Sequence, residues 1–376
     1  MSESTPWARR AEGTGLARAA RRAAEAAARH AGAADVGRRL DPAVVAELMA
    51  AGFARHFVPA VWGGREGSFS ELLAAVATVG EECASAAWIA ALGAAIPRMA
   101  AYLPEKGQAA VWADGPDVLI VGAQAANGVA EAADGGWLVR GRWPYTSGVE
   151  YAHWALVRAQ ESGGEKPVRY FAVPRSGFRF EDTWRSVGMR GTGSHALVID
   201  EEFVPPERTF RQDDLLRGDS GLVARCHQVP FSMVSGLSFA APALGAVRGL
   251  LTRDRPLLRR LAMGPAGSPG QLALLRARGE LDSAQLLLER AARQADSAPI
   301  EPGNVAQGGR DCAMAARFLA SAADRLFRVA GTAAHQEDEP FQRVWRDVTC
   351  AVSHRALSEE THAAAYAEQL TAVRTN

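Results

Sequence analysis

The chain has 376 residues, too many for one small core, so two or three packed units are expected. Its 42 Lys and Arg balance 42 Asp and Glu, which removes any global electrostatic case for nucleic acid or an anionic membrane surface. The four cysteines, Cys83, Cys226, Cys312 and Cys350, are scattered and form no Cys-x-x-Cys, which argues against a disulfide framework or a zinc site and fits a reducing cytoplasm.

The first residues, MSESTPWARRAEGTG, are charged and lack an apolar h-region, so no signal peptide is expected. Up to Trp112 the apolar residues fall at helical spacing. One long helix is predicted over 16–29, a second begins at Asp41-Pro42, with Asp as N-cap and Pro at the first helical position, and a third begins at Ser68-Phe-Ser-Glu71, spaced as a capping box. The uncharged stretch from Cys83 to Pro97 is too short to span a bilayer and reads as a buried helix, so no membrane is expected.

From Asp117 the pattern changes to short β-type runs split by glycine, with strands predicted over 118–124, 137–143, 154–159, 168–173, 178–184 and 196–204. Close turns without intervening helices predict an antiparallel barrel or sandwich. Helices return near Val229, over 239–251, 270–296, 306–331 and 341–371, with Pro/Gly-rich breaks at 264–270 and 298–303. The fold class is therefore α+β, mostly α. It comprises an N-terminal α-helical domain over 1–115, a central β-domain over 116–215, and a C-terminal helical bundle, of four helices, over 216–376. No internal repeat is visible. No Gly-x-Gly-x-x-Gly opens a βαβ unit, so the chain shows no nicotinamide site of its own, and Gly188-Met-Arg-Gly-Thr-Gly193 reads as a turn of the β-domain.

Six segments then fall in a recognisable order: Phe57-Val-Pro-Ala-Val-Trp-Gly-Gly64, Cys83-Ala-Ser-Ala-Ala-Trp88, Gly141-Arg-Trp-Pro-Tyr-Thr-Ser-Gly148, Asp182-Thr-Trp-Arg-Ser-Val-Gly-Met-Arg-Gly-Thr-Gly-Ser194, Phe203-Val-Pro-Pro206 and Pro340-Phe-Gln-Arg-Val-Trp-Arg-Asp347. From about Phe57 to His354 the chain resembles the group D flavin monooxygenases, the oxygenase halves of two-component systems built on the acyl-CoA dehydrogenase fold. In the dehydrogenases an Arg-Asp pair is followed, at the distance of Ser353-His354-Arg355 from Arg346-Asp347, by a Tyr-Glu-Gly whose Glu removes the substrate α-proton. Here His354 falls on the Tyr and Arg355 on the Glu, and an arginine stays protonated at any working pH. The resemblance implies a homotetramer that receives reduced FMN or FAD from a separate NAD(P)H:flavin reductase. With O2 it would form a C4a-hydroperoxide and hydroxylate, or oxidise at nitrogen or sulfur, a small aromatic molecule.

That chemistry needs water excluded and a group near flavin N5 that carries no competing charge. The resemblance assigns this to Ser147, with Thr146 and Gly148 beside it. Trp143 and Tyr145 alternate along the strand and would share one face, to wall the flavin ring or to pack the barrel. Thr192 and Ser194 are candidates for the flavin phosphate or ring edges. His354 is the candidate for handling protons, able near neutral pH to take a phenolic or ammonium proton or to hydrogen-bond the peroxide. The catalytic pair is thus Ser147 and His354. A second histidine common in the family falls here on Ile96, which warns against assuming phenol hydroxylation. Arg343, Arg346 and Asp347 read as residues that hold the C-terminal helix.

Glu359-x-x-His362 is half of a di-iron motif without its partner, and His153, His195 and His335 have no ligand spacing, so no metal is assigned. Two alternatives stay open. One is an acyl-CoA dehydrogenase-like flavin dehydrogenase or oxidase, with Glu359 or Glu360 replacing the missing base. The other is a non-catalytic scaffold or ligand-binding protein.

Overall fold

In the computed structural model, residues 15–163, 167–253, 255–337 and 339–372 are described. Five helices come first: α1 (Gly15–Gly37), α2 (Pro42–Ala51), α3 (Phe69–Gly80), α4 (Ala84–Ala100) and α5 (Glu105–Val111). The caps read in the sequence form. Asp41 Oδ1 accepts the Ala43 N–H at 2.8 Å, and Ser68 Oγ accepts the Glu71 N–H at 3.1 Å. The Glu71 carboxylate does not complete a box on its own helix; Oε1 instead accepts the N–H of Leu16, at the start of α1. The two remaining amides of that turn, Phe69 and Ser70, donate to Asp296 at 2.7 and 3.0 Å. The open N-terminus of α3 is thereby closed by a carboxylate from the far end of the chain.

Seven strands follow: β1 (Ile120–Ala133), β2 (Gly136–Thr146), β3 (Trp154–Glu161), β4 (Val168–Pro174), β5 (Arg179–Glu181), β6 (His195–Val204) and β7 (Thr209–Arg211). They form one sheet in the order β5-β6-β2-β1-β3-β4-β7. The pairing is antiparallel except at one place, where β1 and β3 run parallel. After β2 the chain crosses through the single turn Val149–Tyr151 and returns on the other edge of β1. Sequence alternation reports which residues face inward but not which edge a strand joins, so this parallel pair was not foreseen.

Two short helices, α6 (Gln212–Arg217) and α7 (Arg225–Gln228), lead into α8 (Phe231–Arg253), α9 (Arg255–Ala262), α10 (Pro269–Ser297), α11 (Pro302–Ala330), α12 (Pro340–Val352) and α13 (Glu359–Ala372). Helices α8, α10, α11 and α12 pack on one another as the C-terminal bundle. The single helix expected over 341–371 is broken: α12 ends at Val352, one turn covers Arg355–Leu357, and α13 starts at Glu359. His354 sits in the break with extended backbone, φ −65° and ψ 135°.

Among the described residues α8 alone is long and apolar enough to cross a membrane by length and composition, and it is longer than the uncharged stretch noted at 83–97. Its apolar surface is taken up by protein, since it packs against α3, α4, α10, α11 and α12. One core therefore joins residues from both helical parts, including Leu16, Phe57, Val76, Ala87, Leu244, Leu288 and Leu319. A second core sets Ile96 and Met99 of α4 against Leu156 and Tyr170 of the sheet, and a third, with Trp143, Phe171, Leu197 and Ile199, fills the sheet's other face. Helix α4 takes part in two of the three, and so fixes the sheet relative to the bundle.

The crossing of α3 and α8 depends on glycine. A Cβ on Gly245 would lie 2.2 Å from the Ala77 carbonyl oxygen and 2.8 Å from Gly80 Cα, closer than real Cβ contacts come. Gly245→Ala must push two backbones apart, and a loss of about 1–3 kcal/mol is expected. Denaturant unfolding measures it, and an unchanged midpoint would show that the two helices do not approach this closely.

Candidate active site

A chain of uncharged polar groups runs through the place where α4, β2 and the turn Arg190–Thr192 meet. Trp88 Nε1–H, on α4, donates to Ser147 Oγ at 3.0 Å. Ser147 Oγ lies 2.7 Å from Ser194 Oγ, and Ser194 Oγ lies 2.7 Å from Thr192 Oγ1. Thr192 Oγ1 donates to the Met189 carbonyl at 2.8 Å, and the Gly148 N–H donates to the Thr192 carbonyl at 2.9 Å. Thr192 and Ser194 are buried, and Ser147, at the other end, is half-buried.

The turn is held from the C-terminal bundle. The Met189 N–H donates to Asp347 Oδ1 at 2.5 Å, and the Met189 carbonyl also accepts from Trp184 Nε1 at 3.0 Å. Gly188 makes the approach possible, because a Cβ there would lie 2.1 Å from the Arg346 carbonyl oxygen. Arg346 pairs with Asp35 of α1 at 2.8 Å and donates to the Val187 carbonyl. Arg343 reaches the same helix, with Nη1 3.6 Å from where a Cβ on Gly32 would lie. Burial pushes the Asp347 carboxyl up to about 7, against the lowering effect of the Met189 N–H and of Arg346 and Arg343.

His354 reaches the same place from the break between α12 and α13. Its ring stacks on Phe239 of α8, centroids 3.6 Å apart at 20°, and meets Trp88 edge-on at 5.8 Å. Trp88 also packs on Phe239, at 5.1 Å. His354 Nδ1 accepts the Ala356 N–H at 3.2 Å. Burial lowers its pKa to about 4, so the ring is neutral at pH 7. Ser147 and His354, predicted separately, are thus brought to two edges of one indole. Trp88 and Phe239 are the residues that sequence reasoning left out. Trp88 closes a recognised motif, whereas Phe239 sits in an apolar run with no signal beyond helical spacing.

The model of the acyl-CoA dehydrogenase C-terminal domain matches residues 237–359. The chain is 31% identical, over 85% of each chain, to the oxygenase component of an FADH2-dependent resorcinol hydroxylase from a Rhizobium species. The chain belongs to the oxygenase components of flavin-dependent monooxygenases. It is also 28% identical to the oxygenase subunit HsaA of a flavin-dependent monooxygenase from Rhodococcus jostii, covering 86% of this chain and 89% of that one. Its fold matches the crystal structure of a 3-HSA hydroxylase from a Rhodococcus species with a TM-score of 0.89, covering 96% of this chain and 98% of that one at 23% identity.

In this monooxygenase several expected site residues lie elsewhere. Trp143 and Tyr145 do not share a face. A bulge between Trp143 and Thr146 puts Tyr145 at φ +63° and leaves it 74% exposed, against Trp184, while Trp143 is fully buried inside the sheet and donates to the Arg158 carbonyl. Trp143 therefore has no ring face for a flavin, and only Tyr145 offers one. Thr146 is fully buried, its hydroxyl donating to the Trp143 carbonyl, so it closes the bulge. His354 does not titrate near neutrality as expected, because burial without a charged partner holds it neutral. Ile96 packs over Gly122, where a Cβ would meet Ile96 Cδ1 at 2.4 Å, and offers no polar group.

Glu359 pairs with Arg317 at the surface, and His362 Nε2–H donates to the Ala356 carbonyl. Among the described residues no carboxylate bonds or ion-pairs with Trp88, Ser147 or His354, and no group of three His, Cys, Asp or Glu is placed to hold a metal ion. His153 and His195 each accept backbone N–H groups on Nδ1, and His335 packs on Phe327.

The Asp347 carboxyl gives a test of the linkage. A carboxyl raised to about 7 holds a proton in the folded state that the unfolded chain releases near 4, so stability falls as pH rises between those values. Asn at this position keeps an acceptor for the Met189 N–H and removes the ionisation. Relative to the parent, Asp347→Asn is expected to gain stability as pH rises through that window, by up to about 1.4 kcal/mol per unit. Thermal unfolding across the pH range reads it, and a pH-independent difference would mean that Asp347 is not a buried, protonated carboxyl.

Proposed function

We propose that this monooxygenase takes reduced FMN or FAD from a separate NAD(P)H:flavin reductase and oxygenates a small aromatic molecule beside Trp88, Phe239 and His354. The observation that carries the reading is the uncharged hydroxyl chain from Thr192 to Ser147, ending beside an aromatic wall. The donor set fits a flavin, whose ring edge alternates N–H and acceptor groups that a hydroxyl can meet from either side. When bound, reduced flavin supplies the two electrons that divide O2 between the atom inserted into substrate and a molecule of water.

The residues divide the remaining work. Ser147 would meet the N5 edge of the ring, with its rotamer held by Trp88 Nε1–H on one side and Ser194 on the other. Tyr145, the exposed aromatic beside it, would lie against a ring face, and Gly148 and the Thr192 carbonyl fix the backbone between them. Trp88 and Phe239 exclude water from the reacting atoms, and the lack of a nearby charge removes competing proton transfers. His354 faces the substrate.

The division into units at 1–115, 116–215 and 216–376 is supported by the change of element type along the chain. We also propose a homotetramer in the cytoplasm. Four free cysteines support a reducing compartment, and Leu272, Leu275 and Leu286, exposed along one face of α10, support assembly.

Ser147→Ala is expected to leave the fold and flavin binding nearly unchanged and to divert reducing equivalents from product to hydrogen peroxide, several-fold or more. Peroxide and product are quantified together in an assay coupled to a flavin reductase; an unaltered ratio would remove Ser147 from the flavin's N5 edge. Rapid mixing of the reduced-flavin complex with O2 tests the wider reading. A transient spectrum that is neither reduced nor oxidised flavin is expected, and direct reoxidation would return the chain to the dehydrogenase or scaffold readings.

A further inference from the structure

The tautomer of His354 follows from a hydrogen whose position is not in question. A backbone amide can only donate, and the Ala356 N–H donates to Nδ1 at 3.2 Å, as a cap on the turn Arg355–Leu357. Nδ1 is therefore unprotonated, and a neutral imidazole then carries its hydrogen on Nε2. Protonation of Nδ1 would set two N–H groups against each other, so the cap opposes the imidazolium as well as the other tautomer. Stacking on Phe239 and the edge of Trp88 hold the ring in this orientation. Among the described residues Nε2 makes no hydrogen bond, and it is not sealed from solvent.

Among the described residues no base is bonded to the groups around it. Trp88 Nε1–H is committed to Ser147, and Ser147 is committed to Ser194. Desolvation alone accounts for the low basicity of His354, so no carboxylate is near enough to raise it.

From this geometry we infer that His354 acts on the substrate as a fixed hydrogen-bond donor through Nε2–H, not as its base, and that the substrate is an aromatic molecule bearing an acceptor oxygen or nitrogen at that contact. The inference rests on the proposed oxygenase reading for the site's role, but the tautomer is a property of the protein itself. An aryl ether, a ring carbonyl, a ring nitrogen or a phenolate that arrives already ionised satisfies the contact. A neutral phenol that must lose its proton to the enzyme before attack does not. The ring to be oxygenated must then be electron-rich without help from a base, or enter as the anion.

The tautomer is read by long-range 1H–15N correlation on protein labelled with 15N-histidine, without flavin, with the His354 signals identified by their loss in His354→Gln. The Nε2–H tautomer is expected at neutral pH; the Nδ1–H tautomer or the imidazolium would overturn the donor assignment. The substrate class is read by anaerobic binding of methoxybenzene and ethylbenzene, nearly equal in shape, to the reduced-FAD complex. Methoxybenzene is expected to bind roughly three- to tenfold more tightly, the worth of one hydrogen bond. That preference should survive in His354→Gln, which keeps a donor, and vanish in His354→Leu. Equal affinities, or no binding of either probe, would overturn the acceptor requirement. Failure to bind reduced FAD with the tautomer as assigned would count against the oxygenase reading alone.

Discussion

The candidate active site depends on the backbone of one residue, Met189. Its N–H is held by Asp347 from the C-terminal bundle and its carbonyl receives the Thr192 hydroxyl and the Trp184 indole from the β-domain. Met189 has φ +53°, a left-handed conformation that a side-chain-bearing residue adopts only when its surroundings impose it. The surroundings here do so from both sides, and the result is a turn whose two following hydroxyls point along a line to Ser147. Position is transmitted from α12 through a backbone amide and two short side chains, which have few rotamers and little freedom to lose. Lys or Arg in the same role would have brought both a charge and a flexible stem.

Charge is managed by pairing. The ionised pairs that surround the turn, Arg346 with Asp35 and Arg38 with Asp182, are satisfied by each other and by backbone carbonyls, and neither bonds Ser147. Within the site the ionisable groups are pushed toward neutrality: burial lowers His354 and raises Asp347. Their effects on stability oppose each other. The neutral histidine costs stability as pH falls from about 6.5 toward 4, and the buried carboxyl costs it as pH rises from about 4 toward 7. Of the two, only the carboxyl changes charge near neutral pH, and it sits behind the Met189 backbone, while the histidine beside Trp88 stays neutral there.

The parts of the structure legible in the sequence are those fixed by local chemistry. The caps at Asp41 and Ser68 and the order of helical, strand and helical zones depend on neighbours within a few residues and form as read, while β1 runs on to Ala133 and β7 is not among the predicted strands. What could not be read depends on residues distant in sequence. Glu71 leaves its own cap for α1, and Asp296 supplies the missing acceptor from more than two hundred residues away. The bulge at Tyr145 separates two aromatics that alternation would place together, because a single positive φ reverses the side of every residue after it. The break at His354 lies inside a sequence with good helical spacing, and only its burial against Phe239 shows why the chain leaves the helix there. Ser147 and His354 are legible through a resemblance, whereas the indole that joins them closes a different segment, Cys83–Trp88, to which no role is assigned.

Selectivity in this site follows as much from what is absent as from what is present. Ile96 sits where its Cδ1 fills the space above Gly122, so at that point α4 offers the sheet only hydrocarbon. His354, beside Trp88 and Phe239, is a histidine whose acceptor nitrogen is already occupied by its own backbone. A hydrogen-bonding site rejects a ligand lacking the matching group more strongly than an apolar wall rejects an extra methyl, since a polar group left buried and unpaired costs more than lost contact. On the proposed reading, His354 would ask for an acceptor more strongly than an apolar wall would limit shape. The backbone amide of Ala356 is what makes that demand one-directional, so the chemistry asked of a substrate is set by a turn that does not itself touch it.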